Sequence, residues 1–223
     1  MPETFDLLIK GATLVNHDGE GPADIGVKDG RIVAIGSLAG AGAGRTIDAV
    51  GLHILPGVID TQVHFREPGL EHKEDVQSGS RSAVLGGVTA VFEMPNTKPA
   101  TVTAGALADK VARGRGRMYC DFAFFVGATR ENVEELPRLE RLPGAAGIKV
   151  FMGSSTGDLL VDDEETLARI LALIERRAAF HAEDEARLRE RASLRRDGDP
   201  ASHSEWRDPE AALAATAKLL RLA

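Results

Sequence analysis

The chain is poor in the residues that staple or anchor a protein. Its 223 residues include one cysteine, one tryptophan and one tyrosine. Cys120, being alone, excludes a disulfide framework, so the fold must rest on an apolar core, and the thiol itself reads as part of that core. No apolar run is long enough to span a bilayer, and no signal-peptide pattern opens the chain. The expected compartment is therefore the cytoplasm. Positive charge is short as well: 27 Lys and Arg against 34 Asp and Glu leave a net charge of −7. That balance speaks against nucleic acid or an anionic membrane as partner. With 43% hydrophobic and 27% charged residues, the chain has the apolar mass of an ordinary globular domain.

What is present is periodic. Apolar runs at Val58 to Phe65, Val88 to Met94, Tyr119 to Val126, Gly147 to Met152 and Ala178 to Ala182 start about 30 residues apart, the length of a strand plus a helix. Helical patterns lie between them at Asp75 to Leu85, Ala104 to Ala112, Glu131 to Arg141 and Glu164 to Arg177, and a last one runs from Pro209 to Leu222. Alternation at this period predicts a parallel α/β fold. Polar residues near the carboxyl ends of several strands (His64, Arg66, Asn96, Lys149, His181) favour an eight-fold barrel over a doubly wound sheet, which should show an early phosphate-binding turn. The Gly40 to Gly44 run precedes no helix and reads as a hairpin or loop. Residues 1–56 differ: Phe5 to Lys10, Ile25 to Lys28 and Arg31 to Gly36 are strand-like, and Asp29-Gly30 is a hairpin signal. The expected organisation is an N-terminal β-sandwich segment over 1–56 and a partial barrel over 57–223.

One stretch concentrates chemistry. In an extended strand Asp60, Gln62, His64 and Arg66 share a face, expected here to be buried. His64 gains weight from His181 and from Lys149, which is flanked by Ile148, Val150, Phe151 and Met152. A lysine in such surroundings is expected to be buried, and burial favours its neutral amine. That amine is able to take up carbon dioxide, giving a carbamate that bridges two cations, and imidazole with carboxylate-like oxygen suits zinc. The alternative is a lysine that snorkels from the strand end or pairs with Glu183 or Asp184.

Pro56 to Asp60, Val63-His-Phe-Arg-Glu-Pro-Gly69, Gly86-Gly-Val-Thr-Ala90, Glu93-Met-Pro-Asn-Thr97, Gly147-Ile-Lys149 and Phe180-His-Ala-Glu-Asp184 together resemble the cyclic amidohydrolases, and dihydroorotases most closely. The resemblance runs from about Phe5 to the last residue. It implies a metal-dependent (β/α)8 TIM-type barrel that opens or closes the dihydroorotate ring in pyrimidine synthesis. It also implies two zinc ions held by His64, Lys149 and His181 among others, and a substrate carboxylate gripped by Arg66 and Asn96. Allantoinases resemble the same stretch but typically have asparagine where Arg66 stands, and dihydropyrimidinases lack both carboxylate-binding residues. For Arg66 the plainer alternative is an ion pair with Glu67 or Glu93.

Two departures from the pattern shape the expectation. The family's His-x-His is Gln62-Val63-His64 here, and amide oxygen is a poor zinc ligand, so the more buried metal should be weakened or lost. Eight βα units need about 250 residues, whereas the fifth strand ends near Ala182 and polar segments with one helix pattern follow. The sixth-strand histidine and the general-base aspartate have no counterpart, and His203 reads as a surface loop residue. The expectation is thus the first half of such a barrel, about five strands, with open edges and an unmodified Lys149. Expected partners are a small-molecule substrate and, as options left open, a second copy of the chain or aspartate transcarbamoylase, the latter for a non-catalytic homologue. A third reading keeps the enzyme and makes allantoin or another cyclic ureide the substrate.

Overall fold

The computed structural model describes residues 4–153 and 159–223, and the chain divides into two compact units, 1–57 and 58–223. The first holds one five-stranded sheet. β1 (Thr4–Asn16) pairs antiparallel with β2 (Gly19–Lys28), which pairs antiparallel with β3 (Arg31–Gly36). The β2–β3 turn is Asp29-Gly30, both at positive φ (50° and 71°), as a two-residue hairpin of this hand requires. β4 (Gly42–Asp48) and β5 (His53–Ile54) lie parallel to β1. Phe5, Leu8, Ala12 and Ile25 are buried against this sheet. All five strands belong to one sheet. The Gly40 to Gly44 run is corrected, since Gly42 to Gly44 open β4 and pair with Thr4 and Phe5.

The second unit is a five-stranded parallel half-barrel. Its strands are β6 (Val58–Val63), β7 (Val88–Glu93), β8 (Asp121–Gly127), β9 (Ala145–Phe151) and β10 (Ala178–His181), hydrogen-bonded in the order β10-β9-β8-β7-β6. The ladder is open, with β6 and β10 as its edges. Helices α1 (Val76–Leu85), α2 (Ala104–Gly114), α3 (Leu136–Leu139) and α4 (Glu164–Leu173) follow the first four strands. Each long one starts on a short polar side chain that accepts main-chain N–H groups. Asp75 takes those of Gln77 and Ser78 at 2.8 and 2.9 Å, Thr103 that of Ala106 at 3.2 Å, and Asp163 that of Thr166 at 2.8 Å. Phe124, Val126, Ile148 and Val150 pack with Leu107, Leu136, Leu139, Leu167 and Ile170 into the main core. By strand alternation Phe125, Lys149 and Phe151 face the other way, into the concave side of the sheet.

Two helix expectations are shortened. Over 131–141 only a 3-10 turn and the four residues of α3 form, with Pro137 at the start of α3, where its missing N–H costs nothing. α4 stops at Leu173 rather than running to Arg177 because the buried Glu140 carboxylate captures the main-chain N–H groups of Glu175 and Arg176, each at 3.1 Å. After β10 come α5 (Glu185–Arg191), α6 (Ser202–Trp206) and α7 (Pro209–Leu222), two helices more than the sequence pattern suggests. His203 lies in α6, edge-on to Trp206 at 6.0 Å, and not in a loop. No helix among the described residues is long and apolar enough to cross a membrane.

Candidate active site

The expected site residues all lie at or near the carboxyl ends of parallel strands, where barrel enzymes assemble their chemistry. His64 and Arg66 follow β6, Asn96 follows β7, Lys149 is in β9, and His181 ends β10. The first strand carries them differently from the expected alternation. β6 ends at Val63, its register slips between Asp60 and Val63, and Arg66 takes φ 67°. The four polar residues therefore do not share one buried face. Asp60 and Gln62 are exposed, on the edge strand of the described sheet, while His64 and Arg66 are half-buried beyond the strand end.

Lys149 is buried, 2% exposed, and its ammonium lies 5.0 Å from the centre of the Phe151 ring. Burial alone pushes its pKa down. Neither proposed acidic partner takes it. Glu183 is engaged by His181 and by both nitrogens of an Arg207 fork, and Asp184 caps α5 and meets Lys218 at 3.5 Å. His181 pairs in register with Phe151 and stacks on its ring, 5.9 Å between centres and 29° between planes. Phe151 thus touches both Lys149 and His181. His64 feels the same neighbourhood: burial first, then the charges of Arg66, Lys149 and Lys110, hold its imidazole below the ordinary value, with Asn96 pulling the other way. It is neutral at pH 7. The Oδ1 of Asn96 is buried and lies near His64, with no other hydrogen-bond partner among the described residues.

Arg66 forms no ion pair among the described residues, and the acids proposed for it are held elsewhere. Glu67, buried, receives a fork from Arg117 at 2.6 and 3.0 Å, a longer contact from Arg113 at 3.4 Å, and the N–H of Val76 at 3.2 Å. Glu93, 1% exposed, pairs with Lys110, 2% exposed. Burial lifts the Glu93 carboxyl to about 7 against the pull of that lysine. These clamps were not anticipated from sequence. The available signal was Leu107, Lys110 and Gly114, buried together at helical spacing, and an acid ending an otherwise apolar strand.

As folded, the donors do not fit two zinc ions. Among the described residues no three His, Cys, Asp or Glu side chains are arranged to hold a metal ion. The Nε2 of His181 is taken by Glu183, and an exposed amide stands at Gln62. What the strand ends do offer is a cation, an amide and a buried amine that all act on the imidazole of His64.

Residues 51–155 match the dihydro-orotase-like family model. Allantoinase of Bacillus velezensis is 36% identical over 190 residues, covering 83% of this chain and 42% of that protein. Allantoinase of Deinococcus radiodurans is 37% identical over 153 residues, covering 68% of this chain and 34% of that one. L-hydantoinase (dihydropyrimidinase) from Arthrobacter aurescens superposes with a TM-score of 0.89 at 31% identity, over 98% of this chain and 50% of its own. The chain spans from about a third to half of the length of these proteins. Its second unit has the fold of an amidohydrolase barrel in incomplete form, and the likenesses support placing the chain in the cyclic amidohydrolase superfamily.

Proposed function

We propose that the chain belongs to a hydrolase of cyclic amide C–N bonds whose substrate carries a free carboxylate, as dihydroorotate does. One observation carries this reading: Arg66 is a guanidinium near the strand ends that pairs with no carboxylate among the described residues, Arg117 holding Glu67 and Lys110 holding Glu93. A planar fork left open beside an amide suits a carboxylate ligand. Asn96 would supply the amide, its Nδ2 donating to the carboxylate. The ring amide would then lie toward His64 and Lys149.

A second reading rests on the allantoinase relatives, 36% and 37% identical. It keeps the reaction and makes the substrate an uncharged cyclic ureide. Ring opening of dihydroorotate, allantoin and hydantoin, assayed on the chain and on any longer protein that carries it, separates the two. The carboxylate reading expects dihydroorotate to be preferred and Arg66→Ala to cost on the order of 2–4 kcal/mol in transition-state binding for that substrate alone. Preference for allantoin, with no effect of Arg66→Ala on dihydroorotate, would overturn it.

A further inference from the structure

The loops that carry Arg66 and Asn96 are sewn together by main-chain contacts. The N–H of Met94 donates to the carbonyl of Val63 at 2.9 Å, and the N–H of Lys98 to that of Pro68 at 2.8 Å. Gly69, at φ 89°, lets them approach: a Cβ there would stand 2.2 Å from the Lys98 carbonyl oxygen. Behind this seam, on the helix side of the sheet, lies the pair of Glu93 and Lys110. Its groups reach both loops. The ammonium of Lys110 donates to the Met94 carbonyl at 3.0 Å, two residues before Asn96. The Glu93 carboxylate faces the main-chain N–H of Arg66, the residue whose positive φ an L side chain rarely adopts.

We propose that the buried Glu93–Lys110 pair is a positioning device that sets Arg66 and the Asn96 turn against each other, and so determines the preference for a carboxylate-bearing ring. An ion pair retained only for stability would be an inefficient choice here. Replacing both partners of such a pair with apolar groups of similar volume is often neutral or better, whereas removing one leaves a buried charge. The role in positioning rests on no such balance. It requires an acceptor at the Arg66 N–H and a donor at the Met94 carbonyl, which apolar side chains cannot supply. The link to substrate choice rests on the carboxylate reading above.

The test uses the double variant Glu93→Leu/Lys110→Met, with Glu93→Asp as the companion that keeps the charge and shortens its reach. Two measurements are made on each folded variant. Amide hydrogen exchange of Arg66 is read against that of Ile148, whose bond to the Arg177 carbonyl lies on another strand pair. Equilibrium binding is measured with dihydroorotate and, as an uncharged ring, hydantoin. We expect faster exchange at Arg66 with Ile148 unchanged, and dihydroorotate affinity reduced about tenfold or more while hydantoin affinity holds. Unchanged exchange at Arg66 overturns the proposal. So does faster exchange with unaltered dihydroorotate binding, or an equal loss for both ligands, which marks a purely structural role. If the unmutated protein binds hydantoin but not dihydroorotate, the carboxylate reading fails, and with it the link to substrate choice; exchange at Arg66 still decides whether the pair positions the loop.

Discussion

Arg117 grips Glu67 from two nitrogens at once, Nη1 to Oε1 at 2.6 Å and Nη2 to Oε2 at 3.0 Å. The fork ties the turn after β6 to the segment after α2, so its removal should loosen the loop that carries Arg66.

Arg117→Ala is expected to destabilise the second unit by about 1–3 kcal/mol, because Glu67 stays buried with only the longer Arg113 contact and the Val76 N–H. Burial pushes the Glu67 carboxyl up, but Arg117, the Val76 N–H and Arg113 together hold it below its ordinary value of 4.5. A depressed acid contributes stability above its unfolded pKa and loses it as pH falls through the folded one. The gap between wild type and variant in urea denaturation should therefore be full at pH 7 and close as pH falls below about 4.5. A gap independent of pH would remove the fork as its cause.

Lys110→Met alone should cost about 3–5 kcal/mol at neutral pH, since Glu93 must then fold either as a buried carboxylate without its cation or by taking up a proton. Burial lifts Glu93 even with the lysine present, and without it the acid stays protonated to higher pH still. The variant's stability should accordingly be greatest at low pH and fall as pH rises through the folded pKa of Glu93. Adding Glu93→Leu should restore most of the loss at pH 7. Thermal unfolding of the single and double variants across pH 5 to 8 reads both effects.

Gly147→Ala is expected to be among the most damaging small substitutions in the chain. Gly147 sits inside β9 at φ 146°, and a Cβ would lie 2.2 Å from the carbonyl oxygen of Arg177. That carbonyl accepts the N–H of Ile148 at 2.9 Å at the start of the β9–β10 pairing. Strain of about 1–3 kcal/mol from the backbone angle alone is expected, with the displaced Arg177 carbonyl adding to it. A melting temperature within a degree of wild type would contradict the close approach.

Zinc analysis after dialysis should find well under one ion per chain. Gln62→His alone should not bring the content to two, because His181 remains engaged by Glu183 and Arg207. Stoichiometric binding of two ions by the unaltered chain would show that this engagement gives way to metal.

The strands of the half-barrel were legible because each is a short apolar run bounded by turn signals, and a strand buried on the helix side needs only that. β4 escaped because Gly42 and Gly44 carry no side chain to alternate; it forms through pairing with β1, which periodicity along one segment does not see. The site was legible as residue types at strand ends. Its clamps were not, because Glu67 meets Arg117 across 50 positions and Glu183 meets Arg207 across 24, and nothing local marks such partners. The same distance hid the correction at β6, where the slip in register against β7 breaks the alternation that Asp60, Gln62, His64 and Arg66 suggest in sequence.

The open edge at β6 has a consequence for how the molecule behaves among its neighbours. Along that strand the outward row of main-chain donors and acceptors is unsatisfied by the sheet, and Val58 and Ile59 are 54% and 57% exposed. Such a border is a template: any extended peptide of similar pattern, including another molecule's β6, completes hydrogen bonds there that water otherwise supplies. Ile59→Lys, which places a charge on the border without touching the core, should therefore reduce self-association through this strand as concentration rises.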